Sequence, residues 1–414
     1  METNKVKVSI VRCDDYDYKK LRNAIEESLK LIGGLESIMR QGDKVLLKPN
    51  MMASKPPENA INTHPLFVRA LFEIIRDFGA KPVIGESPGG AIFGTKRVWK
   101  NSGMEEMAKE IGAPIVKLES SGVAKVKPPF GKKLKEFYIA KPVLDADIVV
   151  SVPKFKVHGT MLLTGAIKNL LGTIPGIHKV DFHKAAPKPD EFGDVLSDIL
   201  SIVKPKLAVM DGIVGMEGNG PTFGTPRKVG FVISSPDCVA MDAVVAEMMG
   251  IEPLRVYATK HAVRKGLGVG DLNNIEVAGV PLSEAKIPGW KLDFISNRVV
   301  LRIPRFLLKL YGWGFKAYPL LIQRKCKKCG KCVDGCPTGA RSLNPPLIPP
   351  FLPKGCLRHK GGLKGDYSNN NFPKVDFKKC IRCLQCFEIC PNRAVRLKFS
   401  YLAKQWLKSQ AGGI

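Results

Sequence analysis

ADIVVSVPKFKVHGTMLLTGAIKNLLG, residues 146–172, carries two patterns in one run. ADIVVSVPK is a near-continuous apolar strand, of the kind buried on both faces of a parallel sheet covered by helices. It runs out through Lys154 and Lys156 to His158. MLLTGAIKNLLG then reads as an apolar, helix-like segment with Lys168 and Asn169 set inside it. Further strand-like runs lie on either side: VKVSIV (6–11), KVLLKPN (44–50), KPVIGES (81–87), APIVKLE (113–119), KLAVMDG (206–212) and VGFVISS (229–235). Helical patterns fall between them. THPLFVRALFEIIRDFG (63–79) has Asn62 or Thr63 to cap its start, Pro65 for its first turn and Gly79 for its end. MDAVVAEMMG (241–250) is stopped by Gly250 and Pro253. Strands alternating with helices predict an α/β fold, a mostly parallel sheet with helices on both faces.

Several of these strands end in polar residues: Lys48 and Asn50, Glu86 and Ser87, Lys154 with Lys156 and His158, and Asp211. One such ending means only that burial has stopped. Four of them point to a common rim, because open α/β sheets bind ligands beyond the carboxyl ends of their strands. A lysine within an apolar segment is seldom fully buried without a partner, so Lys168 is expected beside an anionic ligand, a carboxylate or a metal-bound oxygen. Taken singly, His158, His178 and His183 read as ordinary surface or core residues. Grouped with Lys154, Lys156, Lys168 and Lys179, they read as an anion-binding basin. GMEGNGPTFGTPRK (215–228) is dense enough in glycine and proline to be a loop whose backbone approaches a ligand. Neither it nor GESPGG (85–90) fits the dinucleotide or P-loop pattern, so nothing here calls for NAD, FAD or ATP. Glu217 and Asp242 are candidate carboxylates for acid–base work or a metal. The expected catalytic set is Glu86, His158, Lys168, Asp211 and Asp242. The expected binding set is Lys48, Asn50, Lys154, Lys156, Asn169, His178, Lys179, His183 and Glu217.

Together these segments resemble the DUF362 family, a domain of unknown function. The matching words are LLKPN (46–50), NTHP (62–65), PKFKVHG (153–159), AIKNLLG (166–172), GMEGNGP (215–221) and SSPDCVAMDAV (234–244). The resemblance covers roughly residues 5–280. It names no reaction; it implies that these same words hold the site, and that a fused ferredoxin-type cluster domain is a common companion.

That companion is written in CKKCGKCVDGCP (326–337) and CIRCLQCFEICP (380–391). Both fit C-x2-C-x2-C-x3-C-P, the bacterial-type run that holds [4Fe-4S] clusters. Zinc sites use two C-x2-C pairs instead, and disulfides need no such spacing. Residues 324–343 align without gaps on 378–397, matching every cysteine, the proline, an alanine and the final leucine. This internal repeat resembles the two halves of a two-cluster bacterial ferredoxin, a small α+β fold. The resemblance implies two [4Fe-4S] clusters with crossed fourth ligands. One set is Cys326, Cys329 and Cys332 with Cys390; the other is Cys380, Cys383 and Cys386 with Cys336.

The expected organisation is an α/β domain over residues 1–290, a basic amphipathic linker over 291–323, the cluster domain over 324–398 with an insert at 338–379, and a basic tail over 399–414. No stretch is long and apolar enough for a membrane span. Nine of the eleven cysteines fall in the C-terminal quarter. Cys13 and Cys238 read as packing residues, Cys356 as a free thiol. Thiolates and cubanes together imply a reducing, anoxic cytoplasm. Of the net charge of +27, the last 91 residues hold 19 Lys and Arg against 4 Asp and Glu, net +15. A basic cluster domain suits an acidic electron donor or acceptor such as a ferredoxin, and residues 302–320 suit peripheral contact with an anionic membrane. Nucleic acid is disfavoured, because the basic residues are not interleaved with aromatic stacking platforms. The expected function is an iron–sulfur oxidoreductase relaying electrons to a Lys/His-rich cleft that binds an anionic small molecule. The alternative is a non-catalytic electron-transfer subunit docking to a redox complex.

Overall fold

The structure is a computed structural model that describes residues 5–88, 95–175, 178–292, 317–334, 336, 339–342, 372–380, 386, 390–392 and 394–399. The chain divides into two compact units, Met1–Arg302 and Ile303–Ile414.

The first unit is α/β. Its strands are β1 (Val6–Arg12), β2 (Lys44–Pro49), β3 (Lys81–Glu86), β4 (Ile115–Lys117), β5 (Val123–Val126), β6 (Phe137–Ala140), β7 (Ile148–Val152), β8 (Lys154–His158), β9 (Leu162–Leu163), β10 (Leu207–Glu217), β11 (Thr225–Ser235) and β12 (Ile275–Gly279). The main sheet runs β12-β1-β11-β10-β7-β2-β3-β4, with β8 pairing β10 and β9. Along that path every pairing is parallel except the two made by β11, which returns from β10 as a hairpin. β7 and β8 follow one line beside β10, broken at Pro153, which has no N–H to give the ladder.

Helices cover both faces, and the strand sequences show why. Val45, Leu47, Ile148, Val150, Leu207 and Val209 join one core, with α1 (Tyr18–Leu31) and α2 (Pro65–Asp77). Their alternate neighbours Leu46, Val149, Ala208 and Met210 join the other. That second core takes in α6 (Gly165–Asn169), α8 (Pro189–Val203), α9 (Cys238–Met248) and α10 (Tyr257–Arg264). The period-two alternation with both phases apolar is what the continuous hydrophobic runs encode. The remaining helices are α3 (Thr95–Asn101), α4 (Met104–Glu110), α5 (Lys141–Asp145), α7 (Lys179–Ala185) and α11 (Leu282–Ala285).

Three local expectations are corrected. The cap of α2 is His64, not Asn62 or Thr63: Pro65 is the first helical residue, and His64 Nδ1 accepts the Leu66 N–H. The glycine-rich run 215–228 is a loop only over 218–224, since β10 continues to Glu217 and β11 begins at Thr225. The apolar run 161–172 is a short strand, one turn and a half of α6 and a 3-10 turn, Leu170–Thr173, rather than one helix.

In the second unit β13 (Ala317–Leu321) pairs antiparallel with β16 (Val395–Phe399), and β14 (Arg341–Ser342) with β15 (Lys374–Val375). Each cysteine run is thus flanked by two strands, and each pair joins a strand of one repeat to a strand of the other. The first run also carries a helical turn, α12 (Lys331–Asp334). Residues 317–321, assigned above to the linker, are a strand of this unit. Residues 302–316, Cys356, Cys383 and the tail beyond Phe399 lie outside the described residues.

At the start of α9, Asp237 accepts from Val239 N and Ala240 N and also from Val269 N at 2.8 Å. The one carboxylate therefore caps the helix and pins a second segment. Asp237→Ala is expected to cost about 2 kcal/mol, the upper end for an N-cap, read as a lower denaturant midpoint with an unchanged m-value.

Candidate functional site

Lys48 and Glu86 stand at the carboxyl ends of neighbouring parallel strands, and their side chains meet at 2.5 Å. Lys48 is 0 % exposed. Its ammonium also donates to Pro49 O at 2.9 Å and to Asn169 Oδ1 at 3.0 Å. Three donors meet three acceptors, so the group is saturated. Burial lowers the Lys48 pKa, and the Glu86 charge opposes that. Asn169 is equally committed: its Nδ2 donates to Lys48 O at 2.9 Å and Ser151 Oγ at 3.1 Å. Glu86 Oε1 accepts the Ser87 N–H at 2.8 Å. The chain crosses directly above the pair at Gly172, where any Cβ would overlap Glu86 Oε1 and the Lys48 side chain. Lys179 Nζ closes the other side, donating to Ser87 O and, at 3.1 Å, to Ser87 Oγ. Burial pulls its pKa down to about 8, with Glu86 opposing.

A second pair lies across β8 and β10. Lys154 and Asp211 are register partners, and Lys154 Nζ donates to Asp211 Oδ2 at 2.7 Å. Lys154 Nζ also reaches Tyr16 OH at 2.8 Å, and Tyr16 OH donates to Asp211 Oδ1 at 2.8 Å. His64 stacks on Tyr16, ring centroids 3.7 Å apart, and its backbone N–H donates to Asp211 Oδ2 at 2.9 Å. Burial, followed by the Asp211 charge, raises the Tyr16 pKa, so the phenol stays protonated. Burial holds His64 down to about 4, so its imidazole is neutral. With Nδ1 accepting from Leu66, its proton sits on Nε2. Tyr16 and His64 were not read as site residues from the sequence. For His64 the signal was available: a proline in the first turn marks the residue before it as the cap.

The basin residues divide. Lys156 is buried and donates to Ile61 O at 2.6 Å, the same oxygen that accepts from Asn50 Nδ2 at 3.0 Å. His158 Nδ1 accepts from Thr160 N and Met161 N, both at 3.3 Å. Burial, then the charge of Lys168, holds its pKa well below the usual value. His183 stacks on Phe192 and is held down to about 4 by burial, then by Lys168. Half-buried Lys168 therefore shares one neighbourhood with His158, His183 and Lys179. Three expected site residues lie elsewhere in role. Asp242 accepts from Ala166 N at 2.6 Å and Ile167 N at 3.1 Å, seating the start of α6; burial raises its pKa to about 7. Glu217 pairs with Arg227 at 2.8 Å and accepts from Lys291 N. His178 faces Asp181 at 3.5 Å and the Tyr138 ring. Cys13 and Cys238 are buried thiols whose pKa burial pushes up, Cys13 to about 11.

In the second unit Cys326, Cys329, Cys332 and Cys390 line one cavity. Lys328 N donates to Cys326 Sγ at 3.4 Å and Ala394 N to Cys390 Sγ at 3.2 Å, the backbone bonds that tune a cluster's potential. Cys386, of the other run, feels the charges of Cys336 and Cys380. Among the described residues no three His, Cys, Asp or Glu side chains converge on a single-ion site. A cubane asks for something else, four thiolates spread round its corners. The first cavity has that donor set, so its residues fit a [4Fe-4S] cluster, which supplies one-electron transfer when bound. Among the described residues no helix is long and apolar enough to cross a membrane.

A family model described as a domain of unknown function (DUF362) matches residues 45–247, and one described as a 4Fe-4S dicluster domain matches 319–391. The chain is 32% identical over 307 residues to the thylakoid-associated protein sll1697 of Synechocystis sp., covering 72% of this chain and 92% of that protein. It is also similar, at 12% identity and a TM-score of 0.39, to the lactate racemase apoprotein of Thermoanaerobacterium thermosaccharolyticum. That likeness covers 60% of this chain and 58% of the other, a little over half of the enzyme's length.

Glu86→Gln strands the Lys48 charge inside the protein and is expected to cost about 3–5 kcal/mol. Adding Lys48→Met should restore part of that loss, read as a coupling in a double-mutant cycle by denaturant unfolding. The depressed histidines give a pH signature. Between the folded pKa of about 4 for His64 and His183 and an unfolded value of about 6.5, the unfolded chain binds more protons. Stability is therefore complete above that window and lost as pH falls through it. His183→Phe keeps the stack on Phe192 and should lose less melting temperature between pH 7 and about pH 4 than the native chain.

Proposed function

The chain belongs to the DUF362 family and carries a 4Fe-4S dicluster domain, and on that premise we propose an oxidoreductase whose two clusters deliver electrons to an anionic small molecule at the carboxyl edge of the main sheet. The observation that carries this reading is the neighbourhood of Lys168. A half-buried cation stands beside two neutral imidazoles, His158 and His183, and beside Lys179, whose pKa is near 8. A cation with neutral proton carriers around it suits an anionic group next to an atom that gains or loses a proton. Lys48, Lys154, Glu86 and Asp211 act one layer below, where their mutual pairing fixes the strand ends that hold the rim.

Lys179, with its pKa near 8, is the group able to give or take a proton near neutral pH; the two neutral imidazoles offer hydrogen bonds, and Lys168 holds the anionic end of the ligand. The cluster-bearing unit meets an acidic protein donor or acceptor through its basic residues, in the cytoplasm; residues 302–320 offer peripheral contact with a membrane. A second reading, a docking subunit without chemistry of its own, is favoured by one observation: the Lys48 donors are all taken by protein acceptors, as a rigid platform would require.

The test is mass spectrometry of small molecules released from the anoxically purified full chain and from Lys168→Met. A stoichiometric anionic ligand, lost in the variant while iron stays at about eight atoms per chain, supports the enzyme. Intact clusters with no ligand in either protein, or an equal amount in both, turn the assignment to the docking subunit. The crossed ligand sets have their own test. Cys390→Ser is expected to perturb the cluster on Cys326, Cys329 and Cys332 in electron paramagnetic resonance and to spare the other.

A further inference from the structure

Among the aligned residues described in both cysteine repeats, one buried position differs. After the shared alanine, the second repeat has Val395 and the first has Arg341. Val395 and Arg341 are both 2 % exposed. Valine suits such a place; a guanidinium does not, unless something negative accompanies it. Arg341 Nη2 donates to Pro319 O at 2.8 Å, which ties β14 to β13. Its Nε and Nη1 are buried and have no hydrogen-bond partner. Neither that neutral carbonyl nor a bond with the Cys386 thiol balances a whole buried charge, and the Nε and Nη1 donors are left over.

The thiols around it show where those donors stand. The turn α12, which carries Cys332, packs against β14, the Cys386 side chain takes a hydrogen bond with Arg341, and the two cysteines share one buried cluster. Cys332 belongs to the first run and Cys386 to the second. The placement between the runs therefore holds whichever way the fourth ligands are shared. A thiolate-ligated cubane carries net negative charge, and its sulfurs accept hydrogen bonds.

We propose that Arg341 is a shared positioning residue for both clusters, its two free donors directed at cluster sulfur and its charge raising the reduction potential of each. This rests on the reading of two [4Fe-4S] clusters. It adds that they are electrostatically joined through one guanidinium, so that reduction of either is favoured by the same cation. The bond to Pro319 sets the orientation: β13 holds one edge of the fork and leaves the rest facing the cysteines.

The experiment is a spectroelectrochemical titration of the full anoxic protein, native, Arg341→Met and Arg341→Lys, at low and high salt. Met is of similar bulk and uncharged, so both midpoint potentials should move to more negative values, with iron content unchanged. The shift should persist at high salt, because a buried charge is little screened. Lys keeps the charge with different donor geometry, so its shift should be smaller for both clusters. It also keeps the measurement available if the Met variant does not load. Unchanged potentials in loaded Met or Lys protein would overturn the proposal, and so would a shift in one cluster alone. Iron content near four per chain in the native protein would instead sink the underlying two-cluster reading.

Discussion

The buried contact between Lys48 and Glu86 is the constraint on which the carboxyl edge of the sheet depends. Two charges taken out of water recover their desolvation only when geometry is good and the remaining donors are satisfied. Here the requirement is met from four directions. β2 supplies the lysine and the Pro49 carbonyl, β3 the carboxylate, α6 the Asn169 side chain, and the turn after α6 a glycine that leaves room above the pair. None of these can move alone without stranding a charge. The pair thus fixes the relative height of β2, β3 and α6, and with α6 the position of Lys168. The same logic recurs at Lys154 and Asp211, where Tyr16 and the His64 backbone complete the shell.

These pairings change the meaning of the chain's many basic residues at the sheet edge. A run of lysines in sequence suggests a positive basin, but a lysine whose charge is matched by a buried carboxylate presents no field to an incoming anion. The groups on which the proposed site draws are fewer: half-buried Lys168, Lys179 with a pKa that burial brings to about 8, and two imidazoles kept neutral by burial and by Lys168. Such a site would discriminate less by net attraction than by where the proton sits.

The α/β architecture was legible because both phases of each strand are apolar, and the cluster domain because its cysteine spacing follows from cubane geometry. The pairings were not legible. Lys48 with Glu86 and Lys154 with Asp211 are separated by 38 and 57 residues, and nothing local in either partner selects the other. Tyr16 was missed for the same reason, since its stack on His64 exists only once α1 and α2 are packed together. The run 215–228 misled in another way. Its glycines and prolines have the composition of a loop, yet pairing between β10 and β11 carries the strands into both ends of it and leaves 218–224 as the loop. Asp242 read as a candidate acid, and it serves instead as an acceptor for the first amides of α6, a role visible only when α9 and α6 meet.

The repeat in the second unit shows the complementary case, where sequence symmetry is informative because it is broken. Two halves built to the same pattern should bury the same kinds of side chain, and among the aligned residues described in both, Cys332 with Cys386 and Ala340 with Ala394 do. An arginine facing a valine across that symmetry is therefore a departure with a cost, and a protein keeps such a cost when a neighbouring charge offsets it. The neighbours at hand are Cys332, on the turn packed against β14, and Cys386, in the same buried cluster as Cys332. A cluster with four protein ligands has no open corner for a substrate, so what the surrounding protein can adjust is the ease of reduction, through sulfur hydrogen bonds and nearby charge. In this chain that adjustment and the acid–base groups of the sheet edge are carried by different units. On the proposed reading, one unit would set the energy at which electrons are held, and the other would supply the lysines and imidazoles for bond-making.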